Sequence, residues 1–413
     1  METEKQVCVV IGASHGGVNF AFSLRKEGWE ARIILVDADP ELPYHRPPLS
    51  KAFLTKPEGI ENYLLKPKAS YEKQGIELVL GQKVAKIDKA NNNILLENGE
   101  SLKYDKLVLS TGARPFIPAI EGLILSNNTF ALRTAEDVNK IRAAVSEKQG
   151  SKVIIIGGGY IGLEIAASLK KLGCDVNILE REERVLARVT SSEMSSYFNQ
   201  LHEENGVIIH TNKNVTSITK EKSHNTVVCA DGSTFTADII IVGVGIKVNK
   251  ELAEDIGLKI ENGISVNEFV QTSEKDIYAI GDCTFHFNPH YGRYVRLESV
   301  QNAVEQGKTA AAAICGRKVP FNIIPWFWSD QFDVKLQMVG LSEGYTEVLI
   351  REEEPHKRSA WYFKDDELLS VDAVNNAKAY VLGTKLIKEG LKVNKANLMN
   401  LSEPLNLQTL TTR

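Results

Sequence analysis

The sequence predicts an α/β protein built around two doubly wound nucleotide-binding regions, and three observations predict it. An aliphatic run breaking into a glycine cluster occurs twice, as "VCVVIGASHGG" and "VIIIGGGYIG". Each cluster leads into a stretch of helical periodicity and then into a second apolar run that ends in an acid. The chain has 413 residues, too many for one ordinary core, so two or three domains are expected.

In the first region the strand stops at Gly12, where the pattern needs a tight turn. Ser14 stands in place of the usual middle glycine and is small enough to leave room for a pyrophosphate. Gly16 and Gly17 close the loop, with Gly17 where helix must pack on strand, and "VNFAFSLRKEG" follows as the helix. The next run, "ARIILVDADP", ends in Asp37, 20 residues past Gly17. A carboxylate there accepts hydrogen bonds from an adenosine ribose. A tight turn that binds nothing is the plainer alternative. Strand, helix, second strand and acid in sequence favour a bound dinucleotide.

The second region carries all three glycines, Gly157, Gly159 and Gly162, within "SKVIIIGGGYIGLEIAASLKKLG". Its next strand, "CDVNILE", ends in Glu180, 18 residues past Gly162. That acid accepts from a 2′-hydroxyl and repels a 2′-phosphate, which favours NADH over NADPH. Arg181 and Arg184 pull the other way, since arginine is what a 2′-phosphate wants. Two such loops, 145 residues apart, suggest two different dinucleotides. The economical pairing is FAD with NADH, a resident acceptor served by a mobile hydride donor.

The bulk numbers exclude other classes. Hydrophobic residues are 43% and charged residues 25%, a soluble globular mixture, and a net charge of −4 gives no general attraction to nucleic acid or anionic membrane. No apolar run approaches the ~20 residues that cross a bilayer. The opening "METEKQ" lacks an apolar signal core, so a cytoplasmic location is expected. Cys8, Cys174, Cys229, Cys283 and Cys315 form no CxxC or CxxxxC pair, which argues against a disulfide or adjacent-cysteine metal site and for buried apolar thiols.

Further stretches occur in a specific order: "YHRPPLSK", "DKLVLSTGARP", "GVGIKVN", "DIYAIGDC", "RLESVQNAVEQG" and "PWFWSDQF". Together with the two loops they make the chain resemble, over nearly its whole length, the NADH-dependent ferredoxin reductases that serve oxygenases. The resemblance implies a glutathione-reductase-like fold of two Rossmann-like domains plus a small C-terminal α/β interface domain. It implies a split FAD domain (1–113 and 247–323), an inserted NADH domain (114–246) and the interface domain (324–413). "DIYAIGD" has no nucleotide loop of its own, so its strand must complete an earlier sheet.

The resemblance also assigns residues. Lys51 matches a lysine by the reactive edge of the isoalloxazine, although most lysines are simply solvated. Glu164 matches a glutamate beside the nicotinamide that can pair with Lys51; stabilisation of a helix N-terminus is its plainer role. Ile161, Ile165 and Leu169 are expected to line that helix, and Ile161 also falls within the NADH loop. Gly281 and Asp282 match the ribityl–pyrophosphate contact, and Thr111 and Gly112 a second flavin loop. Val84 matches an adenine-side contact or is a core valine. Arg133 matches a flavin contact or makes a salt bridge. Val300, Gln301 and Trp328 match positions around the isoalloxazine, though an aromatic cluster such as "WFW" is as readily core. Gly245, within "GVGIKVN", is a further cofactor-binding candidate. Relatives often place the first acid a residue or two later, so Asp39 is a second candidate beside Asp37. Tyr160 is a candidate cover for the flavin that NADH displaces.

The implied partner is a [2Fe–2S] ferredoxin. Such proteins are commonly acidic, so a basic docking face is expected, with Arg293, Arg296, Arg317, Lys318 and Lys335 as candidates by position. NADH oxidases and peroxidases place a redox cysteine after the proline-rich segment, where this chain reads "PPLSKAFL". A monodehydroascorbate-reductase-like enzyme, or a redox-sensing interaction protein resembling apoptosis-inducing factor, remains the alternative.

Overall fold

The computed structural model describes residues 6–125, 128–221 and 224–411. Residues 1–5, on which most of the reading of the N-terminus rests, lie outside them. The chain folds as two compact units. The first holds residues 1–46, 58–114 and 246–323; the second holds 47–57, 115–245 and 324–413.

The first unit is organised by a five-stranded parallel sheet. Its order is Ile277–Ala279, Lys106–Leu109, Val7–Ile11, Arg32–Asp37, Ile76–Leu80. Val9 pairs with Ile34 on one side and Leu107 on the other, so the loop-bearing strand is central. Cys8, Val9 and Val10 are fully buried, as β-branched and small apolar residues must be in a sheet covered on both faces. The strand of "DIYAIGD" adds to the sheet edge, pairing Ile277 with Leu107. The helix that follows the loop begins at His15, earlier than its periodicity suggests, because the loop glycines themselves enter the first turn. It packs against the helix Val300–Ile314, where Gly307 lets the backbone at Phe20 approach.

The second unit repeats the plan. Its parallel sheet runs Ile208–His210, Asp175–Leu179, Lys152–Ile156, Ile239–Val242, Thr129–Ala131, again with the loop-bearing strand central. The same unit contains a five-stranded antiparallel sheet from the last ninety or so residues, in the order Trp326–Gln331, Val334–Gly340, Glu367–Val374, Lys357–Lys364, Glu347–Glu354. The helix Ala377–Glu389 lies on it, capped by Asn376 at its start and by left-handed Gly390 at its end. A side chain at Gly383 would strike Val371, so glycine sets the approach of helix to sheet.

Candidate functional site

The two glycine loops have one construction. Gly12 and Gly157 take φ of +107° and +109°, a region that glycine alone enters freely. A Cβ at either would strike a carbonyl oxygen on the neighbouring strand's exit, that of Ser110 or of Gly243. A Cβ at Gly17 would strike the Gly12 carbonyl, and one at Gly162 the Gly157 carbonyl. Both loops open a helix, His15–Lys26 and Tyr160–Lys171, whose first turn presents backbone N–H groups and the positive end of the helix dipole.

The acids are also equivalent. Asp37 Oδ2 accepts from the Ala13 N–H at 2.5 Å, and Asp37 Oδ1 from the Asp39 N–H at 2.9 Å. Glu180 Oε2 accepts from the Gly158 N–H at 2.5 Å, and Glu180 Oε1 from the Glu182 N–H at 2.8 Å. Each acid therefore sits at its loop, where a ribose hydroxyl would meet it. Asp39 is occupied differently: its carboxylate accepts from the Tyr44 hydroxyl at 2.6 Å and lies 3.9 Å from Arg46. Together with Ala13, Ser14, Asp37, Glu41 and Pro43, these groups line a small crevice beside the first loop. Arg184 donates to the carbonyls of Ala187, Thr190 and Ser191, and Arg181 pairs with Glu182 at 2.8 Å.

In the first unit Thr111 Oγ1 donates to the Asn249 carbonyl at 2.6 Å, and Asn249 Nδ2 returns a bond to the Thr111 carbonyl. Gly112, with φ +60°, takes the turn between them. Gly281 begins the short helical turn that contains Asp282, and its N–H donates to buried Gln306 at 2.7 Å. Val300 and Gln301 are half-buried at the start of their helix, whose cap is Ser299. Val84 belongs to the core.

The second unit holds the sharpest cluster. The turn Pro47–Ser50 leads into Lys51, which precedes a short helix anchored by buried Phe53 and Leu54. Glu164 is 2% exposed. Its Oε2 accepts from Lys51 Nζ at 2.8 Å and Ser50 Oγ at 2.5 Å, and its Oε1 accepts from Ser329 Oγ at 2.7 Å. One turn further along the same helix face, Ser168 Oγ donates to the Ser50 carbonyl at 2.6 Å. Glu164 and Ser168 thus clamp the "PPLSK" turn. Ile165 and Leu169 are buried as expected, whereas Ile161 is 45% exposed at the loop.

Tyr160 is half-buried, its hydroxyl 2.8 Å from Met338 Sδ and its ring centroid 5.2 Å from that of Phe327. Burial pushes that hydroxyl's pKa well above its ordinary value. Trp328 is half-buried, with Trp326 and Phe327 as ring neighbours. Arg133 stands just before a helix whose capping box is Thr134 and Asp137, and Gly245 takes φ +120° after the strand Ile239–Val242. Sequence reasoning missed Ser50, Ser168, Ser329 and Gln306. Ser168 alone had a signal, its spacing of four from Glu164.

Two cradles of one design, each on its own parallel sheet, define an oxidoreductase that pairs two nucleotide cofactors. The chain belongs to the pyridine nucleotide-disulphide oxidoreductase family, whose model matches residues 6–307, and a reductase C-terminal model matches 326–408. It is 40% identical to putidaredoxin reductase of Pseudomonas putida, over 96% of this chain and 95% of that one. It is 37% identical to rhodocoxin reductase of Rhodococcus erythropolis, over 92% and 88%. Among solved structures it matches the covalent putidaredoxin reductase–putidaredoxin complex with a TM-score of 0.92 at 39% identity, covering 97% of each chain. A ferredoxin reductase from Rhodopseudomonas palustris matches with a TM-score of 0.93 at 36% identity, over 97% and 98%.

Proposed function

We propose that this chain is an FAD-dependent NADH:ferredoxin reductase, passing electrons from NADH to a [2Fe–2S] ferredoxin that feeds an oxygenase. The single observation that carries the reading is the glycine-loop-and-acid cradle repeated in each unit. Gly12, Ser14, Gly16, Gly17 and Asp37 hold the diphosphate and ribose of FAD, with Thr111, Gly112, Gly281 and Asp282 along its ribityl chain. Gly157, Gly159, Ile161, Gly162, Glu180 and Gly245 receive NADH. Bound flavin supplies acceptance of a hydride and release of single electrons.

With flavin bound, Lys51 would supply a positive charge that favours its reduced, negatively charged form. Glu164 holds that ammonium in place. Val300 and Gln301 in the first unit, and Arg133, Trp328 and Tyr160 in the second, are the further residues we assign to cofactor binding. We read the chain as a split FAD domain, an inserted NADH domain and an interface domain, acting in the cytoplasm. Among the described residues no helix is long and apolar enough to cross a membrane. Arg293 and Lys318 in the first unit and Lys335 in the second are kept as docking candidates by position. Arg317 pairs with Glu27 and Arg296 with Glu298, which cancels their charge toward an acidic partner.

The purified protein is expected to be yellow, to be bleached anaerobically by NADH in preference to NADPH, and to reduce cytochrome c only when a [2Fe–2S] ferredoxin is added. A colourless protein that takes up no flavin, or bound flavin that stays oxidised under excess NADH, refutes the reading.

A further inference from the structure

Behind Glu164 lies a second layer of polar side chains that the electron-transfer scheme does not use. Ser329 Oγ, which donates to Glu164 Oε1, lies 3.2 Å from Gln331 Nε2. Gln331 Oε1 lies 2.9 Å from His202 Nε2. Ser329, Gln331 and His202 are all 0% exposed. Ser329 and Gln331 are two apart on one strand, so they share a face, while His202 arrives from the helix Ser192–Glu204.

The direction of every proton in this chain is set from the carboxylate outward. An ionised carboxylate only accepts, so the Ser329 hydroxyl must donate to it. The Ser329 oxygen is then left as an acceptor, which requires the Gln331 amide nitrogen to face it. That turns the Gln331 carbonyl oxygen toward His202, and a carbonyl oxygen requires an N–H there. His202 is therefore the Nε2–H tautomer. Two further observations agree. Among the described residues His202 Nδ1 has no hydrogen-bond partner, as the unprotonated nitrogen of that tautomer can be. Burial also lowers the ring's pKa to about 4, so the ring is neutral at physiological pH.

We propose that Ser329, Gln331 and His202 are positioning residues: a one-directional hydrogen-bond chain that locks the Glu164 carboxylate in the orientation that holds Lys51. The proposal rests on the role given above to the Lys51–Glu164 pair. With Oε1 tied to Ser329, the carboxylate cannot turn, and Oε2 stays directed at Lys51 and Ser50. Three polar groups in a dry interior cost desolvation that well-packed apolar residues would avoid. Bonds in such a chain polarise one another, so all of them strengthen the last one, at the carboxylate.

The test uses the FAD-loaded protein and four variants: Ser329→Ala, Ser329→Thr, Gln331→Met and Lys51→Met. Flavin content and melting temperature first establish that each has folded. Ring-nitrogen NMR of 15N-histidine-labelled wild type is expected to show His202 as the neutral Nε2–H tautomer at neutral pH. Stopped-flow reduction by NADH is expected to show a limiting rate lowered about tenfold by Ser329→Ala and Gln331→Met. The NADH dissociation constant is expected to stay within about twofold, and Ser329→Thr, which keeps the hydroxyl, should recover most of the rate. An Nδ1–H tautomer, a wild-type limiting rate in both chain-breaking variants, or a Thr variant as slow as Ala overturns the proposal. If Lys51→Met also reduces at the wild-type rate, the role of the pair has failed and the proposal falls with it. If Lys51→Met is slow while the chain-breaking variants are not, the proposal alone falls.

Discussion

The coupling between Lys51 and Glu164 can be measured without reference to turnover. Lys51 keeps 19% of its side chain exposed and Glu164 keeps 2%, so the pair lies between a surface ion pair and a dry one. Surface pairs contribute about 0–1 kcal/mol, while stripping one partner from a buried pair costs about 3–5 kcal/mol. In Glu164→Gln the shape survives but one oxygen becomes an NH2 group. Three donors converge on Glu164, at 2.5, 2.7 and 2.8 Å, and a carboxamide presents one acceptor oxygen to them. The new NH2 group then meets a group that had been donating, so at least one hydrogen bond is lost or must reverse, for an expected loss of about 2–3 kcal/mol. In Lys51→Met the carboxylate keeps both serines, so the expected loss is smaller, about 1–2 kcal/mol. The double variant should lose less than the sum, with a coupling of about 1–2 kcal/mol. Urea unfolding of the FAD-loaded proteins, followed by far-UV circular dichroism and flavin fluorescence, reads all four corners of the cycle. The coupling should persist in about 0.5 M salt, because buried pairs are little screened. Additivity within about 0.5 kcal/mol, or a coupling that salt abolishes, would show that the contact holds nothing in place.

The remaining predictions address the cradles and the buried acids. Gly17→Ala forces a Cβ onto the Gly12 carbonyl and should yield colourless protein, whereas Gly162→Ala, with the same clash at Gly157, should stay yellow and bind NADH at least about tenfold more weakly. Absorbance and NADH titration separate the two, and equal flavin loss in both would contradict the division of labour. Glu180→Ala should narrow the preference for NADH over NADPH without reversing it, because Arg184 is spent on the carbonyls of Ala187, Thr190 and Ser191; a reversed ratio of kcat/KM values counts against this. Asp372 accepts from Tyr362 at 2.6 Å and Thr190 at 2.8 Å, yet burial raises its pKa to about 6. A carboxyl raised above its unfolded value of about 3.9 stabilises the fold while protonated and withdraws that stability as pH climbs between about 4 and 6. Asp372→Asn should therefore be relatively more stable at pH 7 than at pH 4, by up to about 2–3 kcal/mol, and a pH-independent difference refutes this. His286 behaves oppositely: burial lowers it to about 4, so it costs stability as pH falls below about 6.5, and His286→Gln should flatten the acid limb of the unfolding profile.

Much of the site was legible before any coordinates, and the reason is locality. Gly12 and Gly17, or Gly157 and Gly162, are five residues apart, and the acid at each loop ends the very next strand or directly follows it. Turn, helix and strand periodicity lie within one supersecondary unit, so spacing alone points to the chemistry. What distinguishes Asp37 from Asp39 was not legible, because both lie at the end of the same strand. Only the fold shows that Asp37 turns back onto the Ala13 N–H while Asp39 is taken by Tyr44. Nor was it legible that the segment 47–57 and the last ninety or so residues cluster with the second sheet's unit. No local pattern encodes which compact body a connecting segment joins.

Two nucleotide cradles, their acids and the order of the elements around them follow from the sequence by itself, since each is a short-range pattern. The surroundings of Glu164 do not. Its donors come from 114, 113 and 165 residues away, and the histidine behind them from a third segment. A serine, a glutamine and a histidine at unrelated positions carry no periodic signature. Only the packing of a helix, a proline-rich turn and a strand around one buried carboxylate brings them within hydrogen-bond reach, and a dry interior, where every polar group needs a partner, makes that arrangement specific.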